Sequence, residues 1–94
     1  MMVKITDYGD ENSKKFVEYN VLGLSSAQMK FLNDNLDEKT SIDEDIFKVK
    51  MYFDEEVYPF QSEAAKIRVE DFIAREEIEM SFFLSGFLDD METL

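Results

Sequence analysis

Apolar and polar residues change their period several times along this chain, and each change marks an element. Val3 and Ile5 alternate with Lys4 and Thr6, the two-residue period of a short strand. Residues 7–13 interrupt it with turn chemistry, because Gly9 and Asn12 tolerate positive φ. The β-rich run from Phe16 to Leu22 follows, so the first 22 residues predict a hairpin with a loose loop. Ser25-Ser26-Ala27-Gln28 has the form of a capping box, in which Ser25 caps the Gln28 amide while Gln28 reaches back. Met29, Leu32 and Leu36 then recur at helical spacing with Phe31 beside them, predicting a helix of about three turns that ends near residues 37–39. Residues 40–45 are polar and read as a connection. Phe47, Val49, Met51 and Phe53 alternate with Lys48, Lys50 and Tyr52, the cleanest strand pattern in the chain. Asp54-Glu55-Glu56 stops it, and Pro59 marks a loop.

From Ser62 onward the period is helical. Val69, Phe72, Ile73, Met80, Phe83, Leu84, Phe87, Leu88 and Met91 fall on one face at three- and four-residue steps. A second stripe, Ile67, Ala74, Ile78 and Phe82, lies on another face. Two apolar faces on one helix leave two outcomes. Either the helix breaks, near residues 75–77 or at Ser85-Gly86, or the second face meets another chain, as a homodimer or in a partner's helix groove. A competing pattern makes Ile78, Met80 and Phe82 alternating residues of a strand. The fold expected from this pattern is α+β in a single acidic domain spanning residues 1–94. It has a three-stranded antiparallel sheet (residues 2–7, 15–22 and 46–53), one short helix, and a long C-terminal helical segment, continuous or broken.

Composition supports a folded domain. Nine Phe, four Tyr and six Met accompany three Gly and one Pro, unlike a disordered acidic tail, which lacks aromatics. The chain has no Cys, so it forms no disulfide framework and no thiolate metal site. Its first residues lack the long apolar run of a signal peptide. The stretch around Phe82, Phe83, Leu84 and Leu88 is too short to span a bilayer. A cytoplasmic location is the expectation.

Charge changes the picture more. Residues 1–33 carry four acids and four bases, whereas residues 34–94 carry eighteen acids against six bases, the whole of the formal charge of −12. A field this lopsided repels nucleic acid and acidic membranes and steers the chain toward basic partners. Candidate catalytic chemistry is sparse. With no His and no Cys, the commonest general base and the thiol nucleophile are missing. No serine sits in a nucleophile elbow. Paired carboxylates of the glycosidase kind need a deep groove, for which a 94-residue chain has little material. A non-enzyme is expected, with no cofactor.

The spacing can be matched to two binding templates. Residues 33–44 place Asn33, Asn35, Asp37, Ser41 and Glu44 where a calcium loop has ligands. Glu38 stands where that loop needs Gly for its sharp turn, however, and Thr40 where it is normally apolar. A solvated helix end and loop is the simpler account, and a calcium-responsive binder the outlying one. Lys48 and Lys50 with Phe47 and Tyr52 resemble an aromatic-basic nucleic-acid surface. Acid triplets on both sides make those lysines charge-balancing residues instead.

The carboxylates themselves are the remaining signal. They cluster at Asp34/Asp37/Glu38, Asp43/Glu44/Asp45, Asp54/Glu55/Glu56, Glu70/Asp71, Glu76/Glu77/Glu79 and Asp89/Asp90/Glu92. A solubility surface explains part of this, but the charge exceeds what solubility asks of a small domain. In size, charge and absence of catalytic residues the chain is similar to the small acidic inhibitors of phages and mobile elements. Those proteins act against restriction enzymes, CRISPR nucleases or DNA-repair enzymes, and immunity proteins that neutralise basic nucleases share the same physics. The resemblance implies a stoichiometric inhibitor that occupies a basic nucleic-acid-binding surface of a target protein by mimicking spaced phosphates. The expected contact set is Asp43, Glu44, Asp45, Asp54, Glu55 and Glu56, two triplets roughly 30 Å apart across one strand. Aromatic anchors are sought among Tyr8, Tyr19, Tyr52, Tyr58 and Phe60, which lie near or between the acid runs. The alternative is a homodimerisation or regulatory interaction module built on Ile67, Ala74, Ile78 and Phe82, its acids serving solubility.

Overall fold

Alternation and turn chemistry at the N-terminus produce a longer hairpin than the pattern predicts. The computed structural model describes residues 1–53 and 69–93. Strand β1 runs over Met2–Glu11 and β2 over Lys14–Leu22. Only Asn12 and Ser13 turn the chain, at φ 52° and 67°. Two successive left-handed residues are the two-residue hairpin geometry whose twist matches that of the flanking strands. Residues 7–11, expected in the loop, are therefore strand. A register shift between Ile5 and Asp7 bulges β1, so the face on which apolar residues appear changes part-way along it. That change hid the second half of the strand.

The helix after Ser25 forms as expected. Ser25 Oγ accepts from the Gln28 amide at 3.1 Å and Gln28 Oε1 accepts from the Ser25 amide at 2.8 Å. Helix α1 (Ser26–Asn35) ends a little earlier than the spacing predicts. Leu36 leaves the helix in an extended conformation, with its N–H still bonded to the Leu32 carbonyl at 2.9 Å. Its side chain is buried with Met29 and Leu32.

The expected three-stranded sheet has a fourth strand. Residues 39–43, which fall largely in the stretch read as a connection, form β3 (Lys39–Asp43), paired antiparallel with β4 (Ile46–Phe53). The strand order is β1-β2-β4-β3, antiparallel throughout. β3 lies at a sheet edge, is short, and is exposed except at Thr40. A charged edge strand of this kind resists further pairing and shows no hydrophobic alternation. The same observation removes the calcium-loop register: residues 33–44 run as helix end, connection and extended strand, and do not wrap a common centre. Thr40 Oγ1 donates to Asn33 Oδ1 at 2.7 Å across this turn.

Helix α2 (Val69–Thr93) is one continuous helix of 25 residues, about 38 Å long. It does not break at residues 75–77 or at Gly86, and Ile78, Met80 and Phe82 are helical rather than strand. Both helices pack on one face of the sheet. The core there joins Val3, Val17, Tyr19, Val21, Phe47 and Val49 of the sheet to Met29, Leu32 and Leu36 of the α1 region and Met80 and Leu84 of α2. Register places Lys4, Lys14, Lys39, Lys48 and Lys50 on the sheet face opposite the helices, together with Glu11 and Glu18.

Candidate functional site

The first expected acid triplet is at the tip of the β3–β4 hairpin. Asp43, Glu44 and Asp45 are all exposed. Asp43 pairs with Lys48 at 3.5 Å. Glu44 stands at φ 56°, a left-handed conformation that a side chain with a Cβ adopts at a cost and that glycine adopts freely. The second triplet, Asp54, Glu55 and Glu56, lies outside the described residues, as do Tyr58, Phe60 and Ile67.

Lys48 and Lys50 balance acids of the sheet. Lys50 is ion-paired with Glu11 and its ammonium lies 4.5 Å from the centre of the Phe16 ring. The hydrogen bond from Lys50 is the chief reason the Glu11 carboxyl titrates below its usual range. Lys15, buried at the hairpin end, is ion-paired with Asp10.

The stripe expected at an oligomer interface is on the surface. Ile78 is 58% exposed and Phe82 74% exposed, and Ala74 is exposed beside them. With Val3, Glu77 and Ser81 they line an open groove of about 400 Å³ between α2 and β1. Glu77 Oε2 accepts from the Ile5 amide at 2.8 Å, so α2 covers part of the β1 edge and satisfies one of its outward amides. Acids adjacent in sequence thus separate in space. Glu77 turns to β1, while Glu76 and Glu79 turn to the opposite side of the helix.

There they meet a residue placed wrongly by the sequence. Tyr19 was expected among the exposed aromatic anchors; it is fully buried in the core. Its position in the middle of the central strand β2 decides this, because both neighbours of that strand are paired and α2 lies across it. Tyr8 and Tyr52, nearer the strand ends, are exposed as expected. Tyr19 borders a cavity of about 250 Å³ lined also by Glu38, Met51, Glu76, Glu79, Met80 and Phe83. The Glu76 carboxylate is the polar group beside the Tyr19 phenol oxygen. Burial pushes the Tyr19 phenol well above its usual range, and the charges of Glu76 and Glu79 push it further. Burial and the neighbouring Glu79 raise the Glu76 carboxyl, against the opposing charge of Arg75. Glu76 and Glu79, one helical turn apart on α2, share a face. The sequence signal for this cavity is the i, i+3 acid pair, which adjacency to Glu77 disguises as one cluster of three.

No helix among the described residues is long and apolar enough to cross a membrane. Residues 2–90 match the model of a family of unknown function (DUF5750). No curated protein matches the chain.

Proposed function

We propose, for a chain that belongs to this DUF5750 family, a non-catalytic role in the cytoplasm: a stoichiometric inhibitor docked through carboxylates on a basic, nucleic-acid-binding surface of a target protein. The observation that carries this reading is Glu44. An exposed two-residue hairpin tip with positive φ favours glycine, and this chain instead presents a carboxylate there, between Asp43 and Asp45. A backbone cost retained at an exposed acidic tip supports a binding role for that tip. Charge distribution supports the orientation. Five of the ten bases lie on the sheet face opposite the helices, so a basic partner is met from the hairpin tip and the helical side. Phosphate mimicry follows from the same physics, since a partner that has shed counterions for nucleic acid sheds them for a spaced row of carboxylates.

The test is a pull-down from native lysate at low salt with a rising salt gradient, followed by binding measurements on the recovered target. A variant with Asp43, Glu44, Asp45, Asp54, Glu55 and Glu56 changed to their amides should bind more weakly and with a flatter salt dependence. An unchanged salt slope removes these residues from the interface.

The exposed stripe favours a second reading, a homodimerisation or regulatory module. Ile78 and Phe82 present large apolar side chains to solvent on the groove beside β1, and a second copy or a partner helix buries such a surface. Under this reading the acid triplets do not matter and Ile78 and Phe82 do.

A further inference from the structure

We infer that the exposed stripe of α2 is the seam of an isologous homodimer, in which two α2 helices pack antiparallel about a two-fold axis at Phe82 and Arg75 of each copy pairs with Asp89 of the other. This deepens the homodimer reading given above and rests on it. The pattern that carries it is a symmetry about Phe82. Arg75 and Asp89 stand seven residues before and after Phe82, and Ile78 and Gly86 four residues before and after it. All five are exposed. Seven residues are close to two full turns, about 10.5 Å along the axis, so Arg75, Phe82 and Asp89 share one face.

A two-fold interface needs a self-complementary surface. Reversing α2 about Phe82 exchanges Arg75 with Asp89 and Ile78 with Gly86. The guanidinium of each copy then faces the carboxylate of the other. Ile78 faces Gly86 of the second copy, where even a Cβ would meet nothing within 4 Å, so the helices approach closely there. The two Phe82 rings, 74% exposed in the single chain, meet at the axis. Each stands at the edge of the groove of about 400 Å³ that Phe82 lines with Val3, Ala74 and Ser81. Arg75, Ile78, Phe82, Ser85 and Asp89 follow one another at steps of three and four residues, the spacing of a coiled-coil seam. Such seams cross at about 20°, which keeps groups two turns from the axis within reach of each other. Arg75 is the only base in α2, against eight acids. A parallel pair sets Arg75 beside Arg75 and Asp89 beside Asp89, so charge selects the antiparallel one. Two copies of net charge −12 repel at long range. Burial of Ile78 and Phe82 therefore drives the association, and Arg75 with Asp89 sets its direction.

The experiment is sedimentation equilibrium of the full chain at about 0.15 M salt and up to about 1 mM protein, with charge variants of the two residues. A monomer–dimer equilibrium is expected. Arg75→Asp and Asp89→Arg should each weaken the dimer about fivefold or more. Arg75→Asp combined with Asp89→Arg, which exchanges the charges, should restore it to within about twofold. Asp89→Arg separates local pairing from bulk charge. It makes each copy less negative, so bulk repulsion alone predicts a tighter dimer, whereas the seam predicts a weaker one. Oxidative cross-linking reads the orientation independently, since the chain has no Cys. Phe82→Cys should cross-link to its counterpart. Glu92→Cys should not, because ten residues from the axis it stands about 30 Å from its own counterpart. Absence of the Phe82→Cys cross-link, or equal cross-linking at both positions, overturns the antiparallel register. An Asp89→Arg dimer as tight as the parent or tighter, or no rescue in the exchanged variant, overturns the seam and leaves the homodimer reading in place. A monomer at every concentration overturns both.

Discussion

Glu44 and Glu76 show how single carboxylates of equal formal charge cost stability for different reasons, one through the backbone and one through burial. At φ 56°, Glu44 holds a conformation that costs an L residue roughly 1–2 kcal/mol. Glu44→Gly should therefore stabilise the fold by about 1 kcal/mol, seen as a higher urea midpoint at unchanged m. Loss of stability would mean that the carboxylate makes contacts worth more than the turn strain. Glu76 titrates above its ordinary 4.5 because burial and Glu79 disfavour its charge. A carboxyl raised in the folded state takes up its proton more readily there, so stability rises as pH falls through the raised value and declines as pH rises past it. Glu76→Gln should be more stable than the parent at pH 7, with the two converging toward and below pH 4.5. Glu11 has the reverse sign. Its carboxyl is lowered by Lys50, so its contribution is present above the unfolded value and is lost as pH falls through the folded one. Denaturation midpoints between pH 3 and 8 separate these two effects. Neither residue's role is legible in sequence. Glu44 depends on a hairpin made with an edge strand, and Glu76 on the helical face that packing turns toward Tyr19.

Helix α2 is the element on which the sequence pattern was both most informative and most ambiguous. Its periodicity predicted a helix, and Phe72, Met80 and Leu84 are buried on it as the main stripe requires. The choice between one helix and two was not legible, because Gly86 weakens local propensity but does not end a helix that tertiary packing holds. Gly86 is exposed, and a Cβ at this position meets nothing within 4 Å. Gly86→Ala should stabilise the protein by about 0.5–1 kcal/mol, a rise in Tm of roughly 4–8 °C per kcal/mol for a chain of this size. A fall in Tm would show that the helix needs flexibility there. Leu84, fully buried, gives the opposing reference, since Leu84→Ala should cost about 2–5 kcal/mol. Strand β3 was missed for a different reason. An edge strand pairs on one side and faces solvent, so its residues need no alternation. The capping box of α1 was legible because it is wholly local: four residues supply both bonds.

For the molecule as a whole, topology sorts the charges. The eighteen acids of residues 34–94 look uniform in sequence. In the fold Asp43, Glu44 and Asp45 take a hairpin tip, Glu77 makes an edge contact, and Glu38, Glu76 and Glu79 line a cavity, while five lysines share the sheet face opposite the helices. The second apolar stripe is exposed, which makes a whole-molecule prediction possible. Ile78→Asp with Phe82→Asp should keep the far-ultraviolet circular dichroism of the parent, and sedimentation should show any dimer reduced to monomer. Global unfolding of that variant would place the two residues in a core contact, and an unchanged dimer would move the interface elsewhere.

The sequence by itself determined the α+β class, the β2 and β4 strands, the capped start of α1, the helical period of the C-terminal segment and the net negative field. Each of these follows from local spacing or from a sum over residues, and neither needs a partner in space. Only the tertiary structure decided that the sheet has four strands, that α2 is unbroken, that Tyr19 is interior, and that Glu76 and Glu79 part from Glu77. Those outcomes depend on which side of an element faces another element. Side chains one position apart on a helix or strand point in different directions, so neighbours in sequence become neighbours in function only where packing brings their faces together.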